Sequence, residues 1–99
     1  MLSLQEVFLK TTKETGENPN GSPRVVVRKA YWGRDCLINP DYVVAVYEHQ
    51  FTTSTDQSMI AGQFPEGTQF CRVILDGNSF RSSEIIVASS FEKLQQQLK

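Results

Sequence analysis

The side chains that could build a nucleophile are few: one histidine, His49, and two cysteines, Cys36 and Cys71. A thiol activated by an adjacent imidazole is the simplest reactive pair such a set allows. It requires hydrogen-bond reach and surroundings that favour the thiolate. Both cysteines fall in apolar, strand-like stretches, where a thiol behaves as a small hydrophobe. His49 follows Glu48 at the end of a β-rich run and reads as a polar residue closing a strand. The thiols read as reduced and buried in a cytoplasmic protein, with a bridge between neighbouring strands as the open alternative.

Metal and phosphate chemistry find no better footing. The sequence has no C-x-x-C, no paired histidines and no aspartate cluster at calcium-loop spacing. Asp76-Gly77-Asn78 resembles a fragment of such a loop, but a turn accounts for it. The six glycines are scattered, so no glycine loop is available to cradle phosphate. The expectation is a protein that is not an enzyme, with no catalytic residue, no cofactor and no metal.

Two features fit binding instead. Arg24, Arg28, Lys29 and Arg34 have no acidic residue among them, and Tyr31 and Trp32 lie between. Basic residues interleaved with aromatics can hold a phosphate backbone and stack on bases, so Arg24, Arg28, Lys29, Trp32 and Arg34 form a candidate nucleic-acid strip. The competing reading is an edge hairpin whose cations deter edge-to-edge pairing. The second feature is the long, mostly polar stretch Gln50–Thr68, which carries Phe51, Met59, Ile60 and Phe64. Apolar residues on a long loop can anchor a protein partner. Alternatively they tuck under the loop as a satellite cluster.

Composition limits the classes. Ninety-nine residues make one domain, able to bury a single core without staples. Hydrophobic residues at 39% and charged residues at 21% are those of an ordinary globular chain, and a net charge of −1 supplies no global field toward nucleic acid or an anionic membrane. No apolar run approaches a membrane span. Met1–Lys10 carries Glu6 and lacks a basic start followed by an apolar block, so no secretory signal is expected and Asn20-Gly21-Ser22 reads as a loop rather than a glycosylation site.

The elements follow from local signals. Ser3-Leu4-Gln5-Glu6 has capping-box form, with Leu4, Val7 and Phe8 at helical spacing, and predicts a short helix over about residues 4–12; Val7, Leu9 and Thr11 also suit one face of a strand. Glu14–Pro23 is a Pro/Gly/Asn linker, which makes residues 1–23 an N-terminal arm and 24–99 the core. Strands are expected over Arg24–Tyr31 and Asp35–Ile38, with Trp32-Gly33-Arg34 as a hairpin tip. A turn at Asn39-Pro40-Asp41 leads to a central strand, Tyr42–Tyr47, covered on both faces. Phe70–Val87 reads as a hairpin turning at Asp76-Gly77, with Phe80 on the return strand and a bulge near Ser82-Ser83. Ser89-Ser90-Phe91-Glu92 opens a C-terminal helix to about Leu98, with Phe91, Leu94 and Leu98 toward the sheet.

From about residue 35 to 99 this order of signals resembles the small flagellar FlbD-type proteins. The residues that carry it are Leu37, Asn39-Pro40-Asp41, Val43–Glu48, Val73-Ile74-Leu75-Asp76-Gly77, and Phe91, Glu92 and Leu94. The arm, the insertion Gln50–Thr68 and a longer return strand depart from that family. The same strand–hairpin–helix order is similar to the first half of LytTR-type DNA-binding domains. The resemblance implies a topology and a regulatory role.

The expected architecture is α+β: a mainly antiparallel sheet of four to five strands, a C-terminal helix on one face and a short N-terminal helix. The expected function is that of a small protein-binding regulator or adaptor of bacterial or phage origin, working through loop 50–68 and the N-terminal arm. Nucleic-acid binding through residues 24–34 is the alternative. Its partner is an unidentified protein, with nucleic acid and a homodimer possible and no membrane.

Overall fold

A computed structural model describes residues 1–77 and 83–98. The elements are β1 (Leu2–Glu17), β2 (Pro23–Ile38), a 3-10 turn (Pro40–Tyr42), β3 (Val43–His49), α1 (Ser54–Ala61), β4 (Phe70–Leu75), β5 (Glu84–Ala88) and α2 (Phe91–Gln97). The strands form one antiparallel sheet in the order β2-β1-β5-β4-β3. The fold is α+β.

Residues 4–12 are not helical; they belong to β1. Leu2, Leu4 and Glu6 are buried while Ser3 and Gln5 are exposed, the two-residue period of a strand. Glu6, which would have closed the capping box, instead bonds Arg34 across the β1–β2 pair. Leu2, Leu4 and Val7 are core residues, so the first part of the expected arm lies inside the sheet.

The stretch expected as a linker is the turn of a hairpin with two sixteen-residue strands. Gly21 N donates to Asn18 O at 2.9 Å, and Asn18 N donates to Ser22 O at 2.9 Å. Pro19 takes the second place of that turn and Gly21 follows at φ +85°, the left-handed conformation that glycine adopts without steric cost. The Asn20 side chain accepts from Ser22 N at 3.1 Å. The hairpin tip expected at Trp32-Gly33-Arg34 is absent: β2 runs through it, with Gly33 opposite Val7. Once β1 pairs along its whole length, a lone glycine does not stop the ladder.

β3 is an edge strand, not the central strand expected. A register shift between Val43 and Ala45 leaves Val44 69% exposed. The shift explains why both alternating sets are apolar: it turns Val43 and Val46 to the same core face. In β4 and β5, Leu75 N donates to Ser83 O at 2.8 Å, so the two strands are not joined by a two-residue Asp76-Gly77 turn. Phe80, Arg81 and Ser82, with the bulge expected there, lie outside the described residues.

Cys71, Val73 and Leu75 of β4, with Ile85 and Val87 of β5, face Leu2, Leu4 and Ile38. Leu94 of α2 closes this core and is fully buried. Ser90 caps α2 by accepting from Lys93 N at 3.2 Å, one residue later than the expected box. Among the described residues, no helix is long and apolar enough to cross a membrane.

Candidate functional site

The β1–β2 ribbon outgrows the sheet. Among the described residues β1 pairs with β5 only at Glu6 and Val7, and from Lys10 to Glu17 it pairs with β2 alone. Every residue from Leu9 to Glu17 is exposed. The molecule measures 61 × 31 × 20 Å, and its radius of gyration of 17.1 Å exceeds the roughly 13 Å of a compact chain this long. The projecting part is an arm of two strands.

Register assigns side chains to the two arm faces, because directly paired residues share a face. On one face stand Lys10, Thr12, Glu14, Arg24, Val26, Arg28, Ala30 and Trp32; Arg34 continues that face toward the core. The Lys10 ammonium lies 5.2 Å from the Trp32 ring, and Arg28 reaches Glu14 at 3.8 Å. Arg34 is committed to buried Glu6 and stacks over Phe8 at 4.5 Å. Of the five strip residues, Arg24, Arg28, Trp32 and Arg34 thus share a face, and Lys29 is on the other. The opposite face carries Val25 and Val27, 61% and 51% exposed, flanked by Lys13 and Lys29. Three successive valines beside an Asn-Gly turn were the sequence signal for this exposed apolar pair.

The stretch 50–68 is built around α1. Its start is marked by Thr53, whose hydroxyl accepts from Asp56 N at 3.1 Å. That cap signal, Thr53-Ser54-Thr55-Asp56, was legible. No apolar stripe marks this helix in the sequence, because Met59 and Ile60 are adjacent instead of a turn apart. α1 packs against β2, and the Tyr31 hydroxyl donates to the Asp56 carboxylate at 3.3 Å.

Phe51 and Phe64 turn inward. Phe51 lies 4.9 Å from Tyr31, 4.8 Å from His49 and 5.0 Å from Phe70, ring centre to ring centre. Phe64 meets Phe70 edge-on at 5.5 Å and is 8% exposed. Met59 and Ile60 are half-buried. Above this aromatic cluster opens a cleft of about 890 Å³ lined by Phe51, Ile60, Phe64, Phe70 and Phe91, with Glu48 and Glu66 among its other walls and no lysine or arginine. The tertiary structure thus joins Phe70, just past the stretch, and Phe91, from α2, to the expected Phe51, Ile60 and Phe64.

In the β3–β4 register His49 is opposite Phe70, and Cys71 is opposite Glu48. His49 packs on Phe51. Cys71 donates to Ser89 O at 3.3 Å, and burial first, then the Glu48 charge, push its pKa above the ordinary 9.0. Cys36 and Cys71 are not bridged. Among the described residues no group of three metal-ligating side chains converges.

Charge is divided unevenly along the chain. Residues 10–30 hold five basic and two acidic residues, a net +3; the rest hold five basic and nine acidic, a net −4. Comparison with known proteins finds no matching family model, no matching curated protein and no matching solved structure.

Proposed function

We propose that this chain is a small non-enzymatic protein-binding module, a regulator or adaptor of bacterial or phage origin acting in the cytoplasm. Its contact elements are the arm and the aromatic cleft of residues 50–70. The observation that carries this reading is the arm itself: Val25 and Val27 stand exposed on a two-stranded ribbon away from the core. An isolated ribbon of this kind is marginally stable in water, and apolar side chains at its exposed end gain from a covering surface. The test is capture by the tagged chain from a bacterial lysate, set beside a Val25→Glu, Val27→Glu variant. Loss of the captured protein in the variant is the expected result; unchanged capture rejects the arm as the contact.

A second reading has its own support. Arg24, Arg28 and Trp32 share one arm face, and a two-stranded ribbon fits the major groove of duplex DNA. Nucleic-acid binding would weaken steeply with salt and drop in Arg24→Ala, Arg28→Ala. Binding that salt leaves unchanged would discard it.

A further inference from the structure

Resting on the protein-binding reading, we infer that the partner surface for the arm is the aromatic cleft of a second copy of this chain. The valine face of the arm and the cleft match in both polarity and charge. The arm offers Val25 and Val27 between Lys13 and Lys29, with one carboxylate, Glu17, on the same face nearer the tip. The cleft offers Phe51, Ile60, Phe64, Phe70 and Phe91 beside Glu48 and Glu66. Apolar side chains would meet aromatic rings, and two ammonium groups would meet two carboxylates with no cation of the cleft opposing them. The same complementarity holds for the whole molecule, since an arm of +3 projects from a remainder of −4.

An arm cannot satisfy the cleft of its own chain. Its base is fixed beside that cleft by the Tyr31–Phe51 and Tyr31–Asp56 contacts. Beyond Tyr31 the ladder continues through Val27↔Lys13 and Val25↔Thr15. Two hydrogen-bonded strands carry the tip away from the base and do not fold back. A neighbouring copy supplies the missing surface at equal concentration, and electrostatic matching favours the encounter. Pairing of β2 edge to edge between copies is disfavoured, because Arg24, Arg28 and Lys29 would put like charges on the shared seam.

The interface joins two different surfaces, so complementary variants test it. Wild-type chain is followed by sedimentation velocity from low micromolar to millimolar concentration, at low and high salt. The expected mass rises above the 11.2 kDa of one chain with concentration and falls back in salt. Val25→Glu with Val27→Glu blocks the arm, and Lys13→Glu with Lys29→Glu gives a second arm variant by charge alone. Glu48→Lys with Glu66→Lys blocks the cleft; both glutamates are exposed, so the fold is retained and circular dichroism verifies it. Each variant alone is expected to associate at least about a hundredfold more weakly. An equimolar mixture of an arm variant with the cleft variant is expected to restore a pair, because one intact arm then faces one intact cleft. A wild-type chain that remains single at all concentrations overturns the inference, as does association that neither variant weakens or a mixture that restores nothing. If the chain is single but the arm variant still loses a captured protein, self-association fails and the protein-binding reading stands.

Discussion

The Arg34 guanidinium grips the Glu6 carboxylate with both prongs, Nε to Oε1 at 3.2 Å and Nη2 to Oε2 at 3.3 Å. The two residues are direct partners in the β1–β2 register, and Glu6 is 5% exposed beneath the pair. A buried carboxylate is tolerated where a cation and hydrogen bonds replace its water. Arg34 therefore ties β2 to β1 at the point where the ribbon joins the sheet.

Arg34→Ala is expected to destabilise the fold by about 2 kcal/mol, since it removes a two-pronged guanidinium, itself half exposed, from a buried carboxylate. Replacing both residues by methionine removes the buried charge as well and is expected to cost much less. Urea denaturation of the three proteins decides this. A single variant that loses under about 1 kcal/mol would show that the pair contributes little.

Alkaline pH should weaken the fold. Tyr31 lies above its ordinary 10.0 through burial, then the Asp56 charge and the hydrogen bond to it; Cys71 lies above 9.0 through burial and then Glu48. Both groups are held neutral by the folded state, so their contribution is complete below the unfolded pKa values. It is lost as pH rises through the folded ones, from above about pH 9 for Cys71 and about pH 10 for Tyr31. Urea midpoints measured up that range are expected to fall, and Tyr31→Phe is expected to flatten the upper part of the fall. A midpoint constant throughout would contradict the assignment.

Thiol labelling distinguishes the two cysteines. Cys71 has no exposed surface and a raised pKa, whereas Cys36 is half-buried at the edge of the core. Iodoacetamide at neutral pH is expected to modify Cys36 well before Cys71 in the folded protein, and both alike in urea. Cys71 reacting as fast as Cys36 would contradict its burial in the core.

Substitutions in the 50–68 stretch should act unequally. Phe64→Ala empties a buried site against Phe70 and is expected to cost about 3 kcal/mol. Met59→Ala, at a half-buried position, is expected to cost about 1 kcal/mol. Equal and small effects in thermal melts would mean that Phe64 does not support the cleft.

Local chemistry fixed several elements from the sequence alone. Asn39 caps the Pro40–Tyr42 turn by accepting from Asp41 N at 3.0 Å, as the Asn-Pro-Asp triplet required. The apolar alternation of Cys71, Val73 and Leu75 became the core face of β4, and Leu94 closed the core from α2. These signals depend on residues within one or two turns of each other.

What the tertiary structure decided depends on partners far along the chain. Leu4, Val7 and Phe8 satisfy a helix and a strand equally, and pairing with residues more than twenty positions away settled them as strand. Glu6 could serve a cap until Arg34, twenty-eight residues on, claimed it. Arg24, Arg28 and Trp32 acquired a common face only through the ladder, and Phe51, Phe64, Phe70 and Phe91 a common cleft only through the crossing of β3, α1, β4 and α2. Register is set over the length of a whole strand, and a one-residue shift would have exchanged every face.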